Sequence, residues 1–282
     1  MLHFQYVLEW SERMASNSHI QLPKCVLKHF SESSGRVFYL DVKTGNIGLT
    51  SAAVLGTEYG YFSDEQEAYL SKEIESPIAL VASKVRTFIK KDGGSLTLKE
   101  SEEIVLKKYI TAAMARSNLS LDTFLSTSVT ADLFTEQQNH DDIVFFSTMR
   151  NGGVAEIFKN YFLVVLINKT EDNLVVPRNC FYTLSSNGLE CIVAPISPKC
   201  ALCLFPPEYV DKNGLSKDYR LCHVENVEDI ELMNQRALMY EYMCNKTFVA
   251  SATRKELNKL EIVLDRNREK LERIWKSVRK DI

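Results

Sequence analysis

Between Tyr161 and Pro207 the chain reads YFLVVLINKTEDNLVVPRNCFYTLSSNGLECIVAPISPKCALCLFPP, and no other stretch restricts the fold as much. Apolar runs at Phe162 to Ile167, Leu189 to Val193 and Cys200 to Phe205 are of strand length, rich in β-branched or aromatic residues, and bounded by Asn, Gly or Pro. Continuous apolar runs of this kind are buried on both faces, so helices must cover the sheet they form. Short connections between them favour antiparallel neighbours over crossovers. The expectation is an α+β fold: a largely antiparallel sheet over about 161–225, a hairpin at 36–49 beside it or at its edge, and flanking helices.

The hairpin is read from RVFYLDVKTGNIGL, where Val37, Tyr39 and Asp41 alternate with Phe38 and Leu40, KTGN supplies the turn, and Ile47 and Leu49 return. Gly45 is where a positive φ costs little. Upstream, Val26, Leu27 and Phe30 predict a helix of one or two turns. Ser63 and Asp64 can cap a long helix with Ala68, Leu70, Ile74, Ile78, Val81, Val85, Phe88 and Ile89 on one face. Pro77 should break or kink that helix. Glycines 93 and 94 end it, and Thr97 to Glu100 has a capping-box pattern for a second helix. Further on, the pattern predicts a helix within 119–138, an apolar run from Ile143 to Phe146 and an Asn-Gly-Gly break at 151–153. Val227 to Cys244 has Ile230, Met233, Ala237, Tyr240 and Met243 at helical spacing and should pack on the sheet.

The last stretch, 252–282, carries Leu257, Leu260, Leu264, Leu271, Ile274 and Val278 on one stripe, interrupted by Asn267 and Arg268. Its spacing is close to 3.5 residues, which suits an amphipathic helix docked on the body or on a partner. With Trp275 as a rim anchor, the stripe is the expected contact for a protein partner or a second copy. The helix's basic residues modestly outnumber its acidic ones, enough for a weak phosphate contact with nucleic acid.

The chain's 282 residues, 45% hydrophobic and 25% charged, fit an ordinary globular protein. A net charge of -3 gives no global pull toward nucleic acid or an acidic membrane surface. The N-terminus lacks the pattern of a secretory signal, and no window has the apolar length of a membrane span. Seven cysteines, an odd number lying mostly in apolar runs, point to reduced thiols in a cytoplasm.

Cys200 and Cys203 form a CxxC, but in a strand residues three apart face opposite sides, and no second CxxC follows. No metal or cofactor is expected. GxSxG is missing, the NGG at 151–153 lacks the Lys-Ser/Thr of a phosphate-binding loop, and the five histidines have no ligand spacing.

Taken in order, the segments resemble a bacterial family, domain of unknown function 4238. Pro23, Leu27 and Phe30 keep the spacing of its H-x-x-P-x-x-x-L-x-x-F segment. RVFYLDVKTGN is similar to its hairpin, Glu75, Ser76 and Ala79 to its long-helix pattern, and Arg116 with Ser117 to its Arg-Thr-Pro. FYTLSSN and APISP resemble two later strands. The likeness runs from about His19 to Ser251, which implies one domain over 1–251, the added helix over 252–282, and a bacterial or phage origin. It also implies a polar site of His, Glu, Arg and Asp. His19 stands one position early, Ile20 occupies the family's position, and Ser185 stands where the family has Asp.

Two functional expectations follow. One is a non-catalytic interaction module acting through the C-terminal helix. The other is a hydrolase or nuclease-like effector of a defence or toxin system, with His19, Glu75 and Arg116 around its site. Glu75 and Arg116 lie on apolar-faced helices, where a charge is tolerated only when paired, so the two are expected to meet.

Overall fold

The computed structural model describes residues 17–19, 22–59, 61–91, 96, 98–116, 141, 158–186, 189–209, 221–244 and 246–278. The expected elements within 119–138 and 143–146, the breaks at 93–94 and 151–153 and the first fourteen residues lie outside the described residues. The architecture is α+β.

At its centre is a five-stranded sheet. It contains β5 (Phe162–Asn168), β7 (Tyr182–Ser186), β8 (Leu189–Ser197), β9 (Cys200–Phe205) and β10 (Leu221–Val224), in the order β10-β5-β9-β8-β7. All neighbours are antiparallel except β10 and β5, which run parallel at one edge. Side chains alternate across it. Leu163, Val165 and Ile167 of β5 join one core, while Phe162, Val164 and Leu166 join the other. Cys200 and Cys203 divide the same way, as strand geometry requires.

A second sheet corrects the expected place of the hairpin. Its strands β2 (Arg36–Asp41) and β3 (Ile47–Ser51) do not join the central sheet but form a four-stranded sheet with β6 (Val176–Pro177) and β11 (Phe248–Ser251), in the order β3-β2-β11-β6. The cause is β11, a short run that the sequence reading passed over. Val249 pairs with Leu40 on one side and Pro177 on the other, so β2 takes β11 as its second neighbour. Gly45 turns the hairpin with φ +83°, as expected. A two-stranded ribbon joins β1 (Asn17–His19) to β4 (Thr57–Tyr59).

The first core is covered by α1 (Lys24–Leu27) with the 3-10 turn Lys28–Phe30, and by a long helical rod with its neighbour. The rod is α2 (Asp64–Tyr69), a π-helical segment (Leu70–Glu75) and α3 (Ser76–Lys90), and beside it lies α4 (Glu100–Ala115). Ser63 caps the rod, its hydroxyl accepting from the Gln66 amide at 3.2 Å. Pro77 does not break the rod. A proline ring crowds the carbonyl four residues back, and the wider π segment just before it accommodates that conflict while the helical path continues. Helix α4 starts at Glu100 as expected, but its cap is not the Thr97–Glu100 pair: Glu102 Oε2 accepts from the Lys99 amide at 2.8 Å.

The second core is covered by α5 (Val227–Cys244) and α6 (Arg254–Val278). Here another expectation is corrected. Leu257, Leu260, Leu264 and Leu271 are buried in the chain's own core and are not offered to a partner. Burial of each is worth about 1.5–3 kcal/mol, which drives the stripe onto the nearest apolar surface. That surface is the chain's own sheet and α5. Arg268 ties α6 to the hairpin, Nη1 donating to the Lys43 carbonyl at 2.8 Å. Ile274 stays exposed, Trp275 is half-buried under the Lys246 ammonium at 3.7 Å from its ring centre, and the side chain of Val278 is outside the described residues.

Candidate functional site

Two polar clusters lie on opposite sides of the central sheet. The first was expected. Glu75 ends the π segment, Arg116 caps the C-terminus of α4, and Glu75 Oε1 lies 3.8 Å from Arg116 Nη1. The Arg116 side chain is wholly buried and that of Glu75 is 27% exposed, so only the carboxylate reaches toward solvent. Arg116 Nε donates to the Ala112 carbonyl at 3.2 Å, which fixes the guanidinium against the last turn of α4. The Cys25 thiol points at the Glu75 carbonyl, and Tyr109 and Cys180 lie within reach of the Arg116 charge.

Burial pushes the Glu75 carboxyl above its ordinary range. Arg116 opposes that and the Glu67 carboxylate adds to it, with a net rise. Burial also lifts the Cys25 thiol to about 11, helped by Glu75, so Cys25 is a neutral thiol and no nucleophile at ordinary pH. A carboxyl whose hold on its proton is strengthened by burial and that faces the surface is suited to proton transfer.

Of the other expected site residues, His19 has its backbone in β1 opposite Thr57, and its side chain is outside the described residues. Ser185 is exposed on the edge strand β7 opposite Glu190. Among the described residues, no group of three His, Cys, Asp or Glu side chains is arranged to hold a metal ion. None of the seven cysteines forms a disulfide. No described helix is long and apolar enough to cross a membrane.

The second cluster was missed. Glu256, 3% exposed, accepts from the Asn173 amide at 3.1 Å and side-chain amide at 3.2 Å, from Ser251 Oγ at 3.1 Å and from the Thr253 hydroxyl. Asp172 accepts from Lys255 at 2.5 Å and Lys259 at 2.6 Å. Asn234 completes the set, accepting from the Val175 amide at 2.9 Å and donating to the Asn173 carbonyl at 2.8 Å. Burial alone would raise the Asp172 carboxyl, but the two lysine hydrogen bonds outweigh it and hold the group below its ordinary range. A signal for part of this was present: Thr253-x-x-Glu256 is a capping-box pattern at the start of α6. Beside the cluster a cleft of about 310 Å³ opens between α5 and α6, lined by Glu231, Gln235, Lys259, Ile262 and Arg266 among others.

Comparison with protein-family models, curated proteins and solved structures gives no match to this chain.

Proposed function

We propose that this chain is a hydrolase of acid–base type in which Glu75 transfers the proton and Arg116 positions it. The observation that carries the reading is the meeting of these two residues from separate helices, with the Glu75 carboxyl raised by burial and still open to solvent. Arg116 is wholly buried, so its role is to orient the carboxylate and not to touch substrate. Glu67 supplies a second carboxylate whose charge favours retention of the Glu75 proton. The finer reading is a nuclease-like effector of a bacterial or phage defence or toxin system, placed in the cytoplasm. It is supported by the resemblance to domain of unknown function 4238 and, for the compartment, by seven cysteines that form no disulfide.

Purified protein incubated with single-stranded RNA and DNA tests this reading. Wild type should cleave, and Glu75→Gln should lose about 100-fold or more, the usual contribution of a general acid or base. Arg116→Lys should shift the pH profile, as a positioning residue would. Cleavage by Glu75→Gln at the wild-type rate rejects the acid–base role, and no cleavage by wild type rejects the nuclease reading.

A second reading, an interaction module acting through α6, is favoured by one observation. Leu232 on α5 and Ile262 on α6 are exposed, and Ile262 lines the cleft whose rim carries Glu231, Lys259 and Arg266. Charges of both signs on one rim complement themselves across a two-fold axis, so the partner we infer is a second copy of this chain. Mass in solution before and after Ile262→Glu is the check: a monomer in both forms excludes it.

A further inference from the structure

The cleft between α5 and α6 has a saturated back wall and an unsaturated rim. At the back, every carboxylate oxygen is taken. Both Asp172 oxygens accept from lysines, at 2.5 Å and 2.6 Å, and both Glu256 oxygens accept from the donors of Asn173, Ser251 and Thr253. Asn234 is committed in both directions, to the Val175 amide and the Asn173 carbonyl. The remaining polar lining differs. Glu231 gives Oε1 to Lys259 at 2.5 Å, and its Oε2 has no partner among the described residues. The half-buried amide of Gln235 and the exposed guanidinium of Arg266 line the same cleft and have no partner among the described residues either. Leu260, Ile262 and Val263 supply its apolar wall. The helices fix the spacing of these groups. Glu231 meets Lys259 and Tyr242 meets Glu272 at 2.7 Å, so α5 and α6 run parallel. Arg266 therefore lies about 10 Å, two helical turns, beyond the Glu231–Lys259 contact, and Gln235 falls between.

We propose that this cleft binds a short peptide of about three residues with both termini free. Its ammonium group pairs with Glu231, its carboxylate pairs with Arg266, and one apolar side chain rests on Ile262 and Val263. A peptide group in the middle exchanges hydrogen bonds with the Gln235 amide, which presents one acceptor and a donor pair just as the peptide needs. An extended chain covers about 3.3–3.6 Å per residue, so three residues span the interval between the two charges. A dianion would meet the Glu231 carboxylate and a diamine would meet the Arg266 guanidinium. Only a ligand with opposite charges at its two ends suits both. The cleft volume of about 310 Å³ lies at the small end of ligand sites, which fits a tripeptide and not a folded partner. The inference stands apart from the acid–base reading of Glu75, and it competes with a second copy of the chain for the same cleft.

Calorimetric titration of the full chain with alanyl-leucyl-alanine, and with the same peptide amidated at its C-terminus or acetylated at its N-terminus, tests the site. Saturable binding of the free peptide is expected. Each blocked form should bind about threefold to fivefold more weakly, the scale of one solvent-exposed ion pair. Arg266→Gln should weaken the free peptide by that factor and leave the amidated one unaffected, because the same contact is then lost only once. Glu231→Gln should behave likewise toward the acetylated form. Arg273→Gln, which removes an exposed charge of α6 outside the cleft, should leave all three affinities unchanged. Should a cleft variant fail to fold, the blocked peptides on the wild-type chain still decide. No saturable binding to wild type, equal affinity for free and blocked peptides, or equal weakening by Arg266→Gln and Arg273→Gln overturns the proposal. A dimer in solution that binds no peptide assigns the cleft to a second copy and overturns it as well.

Discussion

Glu75 and Glu256 are both glutamates carried on long helices, one on each side of the central sheet, yet their surroundings differ in kind. Glu256 is enclosed by donors: two from Asn173, one from Ser251 and one from Thr253. Glu75 has one cation at 3.8 Å, a neighbouring carboxylate, and an opening to solvent. A saturated buried carboxylate holds structure in place, because each donor around it would otherwise be an unpaired polar group. An under-supplied one sits at the edge of its preferred charge state and gains from a ligand or a proton. The lesson is that burial and charge do not mark a working site on their own; the number of donors per carboxylate separates the two cases.

The largest test of this contrast removes α6. Truncation after Thr253 takes away Glu256 and the buried leucines Leu257, Leu260, Leu264 and Leu271. At about 1.5–3 kcal/mol each, the leucines alone rival the whole stability of a typical domain. The truncated chain should lose its near-UV circular dichroism and its cooperative unfolding transition. A cooperative fold of unchanged stability after truncation would mean that the second side of the sheet does not need its saturated cluster.

Next in size is the pair of single substitutions. Glu256→Ala leaves the Asn173, Ser251 and Thr253 donors without their acceptor and should cost about 3 kcal/mol in denaturant unfolding. Glu75→Gln keeps an acceptor beside the buried Arg116, removes only a charge that burial already disfavours, and should cost no more than about 1 kcal/mol. Equal costs at the two positions would erase the distinction drawn between the clusters.

The sequence made part of this visible. Strand runs at 162–167, 189–193 and 200–205 were legible because burial on both faces leaves an uninterrupted apolar signal. The Glu75–Arg116 encounter was legible because a charge on an apolar helix face needs a partner. What escaped were features set by distant chain segments. Strand β11 is only four residues, Phe248–Ser251, with no alternation to announce it, and it is a strand because Asp41 to Phe38 lie beside it. The π segment at Leu70–Glu75 was hidden because the spacing of Leu70, Ile74 and Ile78 reads the same through an α-helix. Asp172 falls in a polar turn, and nothing local shows that Lys255 and Lys259 converge on it. The docking of α6 was open in the sequence because an apolar stripe states that it must be covered but not by what.

The smallest expected effect is in the pH dependence of stability, and here the two sides of the sheet should act with opposite sign. Asp172 is held below its ordinary value of 3.8 once the lysine hydrogen bonds have outweighed its burial. Its folded form therefore binds a proton less readily than the unfolded chain, so its contribution is fully present above 3.8 and is lost as pH falls through the lowered value. Glu75 is raised above its ordinary value of 4.5, chiefly by burial. Its contribution is fully present below 4.5 and is lost as pH rises through the raised value. Measured as the urea midpoint between about pH 3 and 8, Asp172→Asn should flatten the acid limb of the wild-type profile and leave the neutral limb unchanged. Glu75→Gln should do the reverse, flattening the fall in stability as pH rises above 4.5. Because each substitution replaces one carboxylate by its neutral isostere, the change in slope belongs to that group and not to lost packing. Were both variants to flatten the same limb, the two carboxylates would be in like environments, and the reason for assigning proton transfer to Glu75 alone would be gone.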